Sequence, residues 1–98
     1  MTTTASRILS AVATYRAKFK ELKIGKMNIP ENEKAFHIVQ KTARLAFCNH
    51  LLDDVERAVS EGMTATAGQW LGLVQGMLVS DHVYTFKEIE RHGIPAAA

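Results

Sequence analysis

The chain has 98 residues, of which 47% are hydrophobic and 22% charged, with a formal net charge of +2 and a single cysteine. That length supports one small core and excludes two independent domains. One cysteine excludes an intramolecular disulfide framework, and with it the argument for an oxidising compartment.

The charge is unevenly distributed. Residues 1–26 hold Arg7, Arg16, Lys18, Lys20, Lys23 and Lys26 against one acid, Glu21, and the remainder is mildly acidic. Arg16 and Lys18 interrupt the N-terminal apolar residues before an export signal can form, so a cytoplasmic location is the expectation.

The first helix is expected to start after Thr4 as cap and to run to about Lys23. Ile8, Val12, Tyr15, Phe19 and Leu22 follow one another four, three, four and three residues apart, which lines them within about 80° of arc. A stripe that narrow reads as a two-helix seam and makes Tyr15, Phe19 and Leu22 candidate protein-interaction residues. Arg16, Lys18, Lys20 and Lys23 flank it and are candidate nucleic-acid contacts. Gly25 is suited to end this helix and Pro30 to open the next.

The second helix is expected over Pro30–Glu61, closed by Gly62. Its apolar face changes side: Phe36, Val39, Ala43, Ala46 and Phe47 fall on one side of Ile38, and Cys48, Leu51, Leu52, Val55 and Val59 on the other. Such a crossover asks for a bend or for a second neighbour, which in a short chain points to another subunit. Cys48 reads as a small core residue.

The third helix, over Thr66–Ser80, contains GQWLGLVQGMLVS, and no charge stands between Glu61 and Asp81. Trp70, Val74 and Met77 define one face, widened by Ala67, Leu71, Leu73 and Leu78, with Gly68, Gly72 and Gly76 roughly opposite. Each glycine costs a helix up to about 1 kcal/mol relative to alanine. Three in register imply that another backbone approaches that side closely, with Trp70 turned into the core. Gly68, Gly72 and Gly76 are therefore further candidate interaction residues. Gln69, Gln75 and the Thr/Ser content of residues 62–80, without flanking basic clusters, speak against a membrane span.

A short fourth helix follows, with Thr85 and Glu88 as a capping box and Gly93 and Pro95 as a stop. No strand-like alternation is present, so the fold class is all-α: a small bundle of three main helices and a short C-terminal one. Residues 1–98 form a single helical domain, with a basic helical arm over 1–24.

Chemistry-bearing patterns are sparse. His50 and Asp54, one turn apart, are spaced to share a cation, and Asp53 and Glu56 resemble half of the paired-carboxylate arrangement with which helical nucleotide pyrophosphohydrolases hold magnesium. No second helix supplies the other half, so a metal-dependent nucleotide hydrolase is the weaker alternative, and no catalytic, metal or cofactor residue is assigned. Val83–Ile94 resembles the first helix of winged-helix regulators, but the residues to Ala98 leave no space for a recognition helix. Phosphate contact through the first helix would be weak and nonspecific.

Trp70-Leu71-Gly72-Leu73-Val74-Gln75-Gly76-Met77-Leu78, followed by Val83-Tyr84-Thr85 and Glu88-Ile89, resembles a family of small proteins of tailed bacteriophages and prophages. In that family a Trp-Leu-Gly-Phe-Val-Gln-Gly-Val-Leu core precedes Val-Tyr-Thr and a short acidic helix. The likeness runs over about residues 31–95, so that 30–95 forms a family core. This chain departs from it with Leu73 in place of the bulky aromatic and with Asp81-His82 at the turn. The resemblance implies a phage origin and a helical architecture and brings no reaction with it. The leading expectation is a phage-encoded accessory protein that binds a host or phage protein, as a homodimer and without a cofactor. The alternative is a nucleic-acid-associated regulator using the basic first helix.

Overall fold

The structure is a computed structural model and describes residues 3–26 and 41–92. Four helices follow in chain order: α1 (Thr4–Glu21), α2 (Lys41–Ser60), α3 (Thr64–Ser80) and α4 (Phe86–Arg91). Among the described residues there is no strand, and the all-α bundle expected from the sequence is what forms. The proposed opening of the second helix at Pro30, with Phe36, Ile38 and Val39, and the stop at Gly93 and Pro95 lie outside the described residues.

Local signals set the helix ends. At the start of α1 the Thr3 hydroxyl accepts the Ser6 amide at 3.0 Å, so the cap is Thr3 and Thr4 is the first helical residue. Three helices end in the same way, with one residue in the left-handed region and two reversed hydrogen bonds. In α1 that residue is Lys23 (φ 59), with Ile24 donating to Phe19 at 2.8 Å and Lys23 to Lys20 at 3.1 Å. In α2 it is Gly62 (φ 77) and in α3 His82 (φ 61). Gly62 stops α2 as its backbone freedom suggests. Gly25 does not stop α1: the turn is complete two residues earlier, at a lysine that accepts the steric cost of the left-handed region. Thr85 and Glu88 make the capping box, with Glu88 Oε1 accepting the Thr85 amide at 2.9 Å and Thr85 Oγ1 accepting the Glu88 amide at 3.2 Å.

One core joins all four helices. It takes Ile8, Ala11, Val12, Tyr15 and Phe19 from α1, Leu45, Cys48, Leu52, Val55 and Ala58 from α2, Ala67, Leu71, Val74 and Leu78 from α3, and Ile89 from α4. The helices α2 and α3 pack most extensively, α1 lies against both, and α4 rests on α3. Within the described part of α2 the apolar face does not cross over. Cys48, Leu52 and Val55 face inward with Leu45 and Ala58, while Ala43, Ala46 and Phe47 are only half-buried.

The α1 stripe packs inside the chain. Ile8, Val12, Tyr15 and Phe19 are inaccessible, whereas Leu22, beyond the last core turn, is 45% exposed. Tyr15 and Phe19 are thus core residues and offer no surface to a partner, and α1 is a structural wall, not a detachable arm. Burial of aromatic area on two neighbouring helices outweighs what a peripheral seam could gain.

Polar ties close the gaps between helices. Asn49, buried on α2, donates from Nδ2 to the Ile24 and Gly25 carbonyls at 3.1 Å each, which fixes the chain leaving α1 against α2. The Arg44 guanidinium grips Asp81 at the end of α3 with Nη2–Oδ1 2.7 Å and Nε–Oδ2 3.3 Å. An acid at a helix C-terminus opposes the helix dipole, and the fork from Arg44 offsets it.

Candidate functional site: the outward face of helix α3

Helix α3 buries Ala67, Leu71, Val74, Gln75 and Leu78. Successive inward residues three and four apart place the other side of the helix, with Ala65, Gln69, Trp70, Gly72, Leu73 and Gly76, toward solvent. Trp70 is 37% and Leu73 49% exposed. Sequence reasoning placed both in the core; the structure does not. Leu71, Val74 and Leu78 can meet α1 and α2 simultaneously, and the indole, one residue from Leu71, is left at the edge of that contact.

The glycine ridge is corrected likewise. A Cβ built on Gly68, Gly72 or Gly76 meets nothing within 4 Å, so no neighbouring backbone among the described residues approaches it. Gly72→Ala therefore gains helix propensity without a clash and is expected to stabilise the isolated monomer by up to about 1 kcal/mol. Chemical denaturation at high dilution reads this directly; a lowered midpoint would mean that something does lie against the ridge.

The face carries no charge from one end of α3 to the other, and neither end turn supplies one. Its composition is glycine and alanine around two large apolar side chains and Gln69. In an exposed face of three to four turns this is unusual, because solvent-facing helix positions are ordinarily charged or polar. Exposed aromatic and aliphatic side chains without charge between them have the composition of an interface core.

The basic residues of α1 are only partly available. Arg16 reaches Asp53 at 2.9 Å and Glu56 at 3.4 Å across the α1–α2 contact, and Lys18 pairs with Glu21 at 3.1 Å. Lys20 and Lys23 stand exposed without an ion pair among the described residues. Two exposed lysines make a small phosphate-binding footprint. The acids singled out on α2 serve the fold. Burial alone would raise the Asp53 carboxyl, but hydrogen bonds from Lys26 (3.1 Å) and Arg16 outweigh it and hold it below its ordinary value. Asp54 is engaged by Arg57. Among the described residues no three His, Cys, Asp or Glu side chains come together as metal ligands.

Cys48 is fully buried, 3.1 Å from the Met77 sulfur. Burial pushes its thiol up to about 12, far from the thiolate a nucleophile needs. A cleft of about 330 Å³ lies where α1 and α3 end beside the first described turn of α2, lined by Leu22, Ile24, Leu45 and Val83 with Lys18, Lys41, Thr42 and His82. Two helix C-termini meet there, and Lys18 is committed to Glu21.

The arrangement that sequence reasoning missed is a polar chain through the core. Gln75 Nε2 donates to the Tyr15 hydroxyl at 3.1 Å, and that hydroxyl lies 3.0 Å from His92 Nδ1. The Tyr84 ring meets His92 edge-on at 4.8 Å. Burial raises the Tyr15 phenol above its ordinary value, and the Gln75 hydrogen bond only partly offsets it. This chain gives Gln75 and Tyr84 architectural roles, whereas Trp70, Gly72, Leu73 and Gly76 have none in the core.

Four helices closing one core around a Gln–Tyr–His chain, with the outward face of α3 free of charge, define a small all-α bundle. Compared with known protein families, characterised proteins and solved structures, the chain matches none. No helix among the described residues is long and apolar enough to cross a membrane.

Proposed function

We propose that this chain is a phage-encoded accessory protein that acts by binding another protein through the outward face of α3. One observation carries the reading: Trp70 and Leu73 are exposed on a helix face without charge, although α3 needs neither side chain to close its core. Tryptophan and leucine placed so contribute most when a partner desolvates them, since interface energy concentrates in a few large side chains. The open space above Gly72 and Gly76 lets a partner helix approach closely. A second copy of the chain presents the same uncharged face and is the first partner to test; a host or phage protein is the other.

The test is a Trp70→Ala/Leu73→Asp double variant, compared with wild type by light scattering at micromolar concentration and by capture from bacterial lysate. Wild type is expected either to exceed the 10.8 kDa monomer or to retain a specific partner, and the double variant to lose that association with little change in thermal unfolding. A wild-type monomer whose captured proteins are the same as the double variant's would refute the reading.

A further inference from the structure

We propose that α4 is a pH-released latch, held on the three-helix body by neutral His92, whose Nδ1 accepts the buried Tyr15 hydroxyl, and let go when that imidazole takes up a proton. The Gln75 amide donates to Tyr15 Oη from 3.1 Å, and in the neutral His92 tautomer that carries its hydrogen on Nε2, Nδ1 is the acceptor for the Tyr15 hydroxyl at 3.0 Å. An imidazolium has two donors and no acceptor. After protonation, Tyr15 loses the acceptor for its hydrogen and faces N–H groups from both sides.

The surroundings do not welcome the added charge. From α1, Tyr15 presents its ring edge-on to His92 at 5.3 Å, and the Lys18 ammonium sits 5.6 Å from the centre of the Tyr84 ring, paired with Glu21. From α3 the facing group is neutral Gln75. On α4 itself, Glu88 lies one turn before His92 but is committed to the Thr85 amide, and Arg91 is the preceding neighbour. Burial depresses the His92 imidazole below its ordinary 6.5, and Glu88 opposes this less strongly. The sign follows from linkage: the freed segment binds the proton more readily than the docked one. Docking is therefore full above about 6.5 and is lost as pH falls through the lower, docked value. Asp53 and Glu88 are held below their ordinary values and stay ionised through this window.

Little else retains α4. Ile89 is its one buried side chain, and a helix of six residues has no stability of its own in water. Release therefore unfolds the segment and uncovers the part of the core that Ile89 caps.

Hydrogen exchange of residues 86–92 relative to 67–78, corrected for the intrinsic pH dependence, measures the latch between pH 8 and pH 5. In wild type the relative exchange of the α4 segment is expected to rise severalfold below about pH 6.5. His92→Gln keeps a neutral acceptor and should exchange alike at both ends of the range. Tyr15→Phe should show a loosened segment already at pH 8, with a flattened step. A wild-type segment that tracks the body at every pH, or a step that persists in His92→Gln, overturns the proposal.

Discussion

Phe19→Ala is expected to destabilise the fold by about 3–5 kcal/mol, the range for deleting a fully buried aromatic ring. Phe19 is inaccessible, as are Tyr15 and Val12 one and two turns before it on α1, so deleting the ring leaves a cavity in the core. Small domains hold only about 5–15 kcal/mol in total, and the variant should therefore unfold at a small fraction of the wild-type denaturant midpoint. The same logic applies to the whole helix: without residues 1–24 the core loses five of its side chains from α1, and the remainder should not fold. A cooperative transition in the truncated chain, or a Phe19→Ala midpoint close to wild type, would show that α1 is peripheral after all.

Gln75→Leu tests the buried polar chain. Leucine has similar bulk, so the change removes a donor without opening a large cavity and leaves the Tyr15 oxygen short of its partner. The expected cost is about 1–3 kcal/mol, the penalty for a buried group stripped of its hydrogen bond. In a Tyr15→Phe background the partner is already gone, and Gln75→Leu should then be close to neutral. The double-mutant cycle thus yields a coupling energy; strictly additive effects would mean that the 3.1 Å contact carries no weight.

Within α1 the i, i+3, i+4 pattern was sufficient: Ile8, Val12, Tyr15 and Phe19 all face inward, because a helix otherwise lined with Lys and Arg has one apolar side to bury. Helix ends were legible where the signal is local, as at Gly62 and the Thr85–Glu88 capping box. Cys48 was likewise readable as core from its apolar flank. The two non-glycine residues in left-handed turns, Lys23 and His82, left no compositional mark. Their conformation is imposed by the hydrogen bonds that close α1 and α3.

Helix α3 is where local reasoning failed. With no charge anywhere along it, its hydrophobic pattern has no polar side to point outward, so size alone puts the largest side chain, Trp70, in the core and helix cost alone puts the glycines at a close contact. What turned Leu71, Val74 and Leu78 inward was the shape that α1 and α2 offered, leaving Trp70, Leu73 and the glycines outside.

The sequence by itself determined that this chain is helical, where α2 stops and α4 starts, and which stripe of α1 is buried, since those properties depend on residues within a turn or two of each other. Only the tertiary structure decided which side of α3 became surface and which polar groups met in the core. Gln75 is 60 residues from Tyr15, and His92 is 77; no periodicity links such positions, and they become partners only after three helices have packed around them.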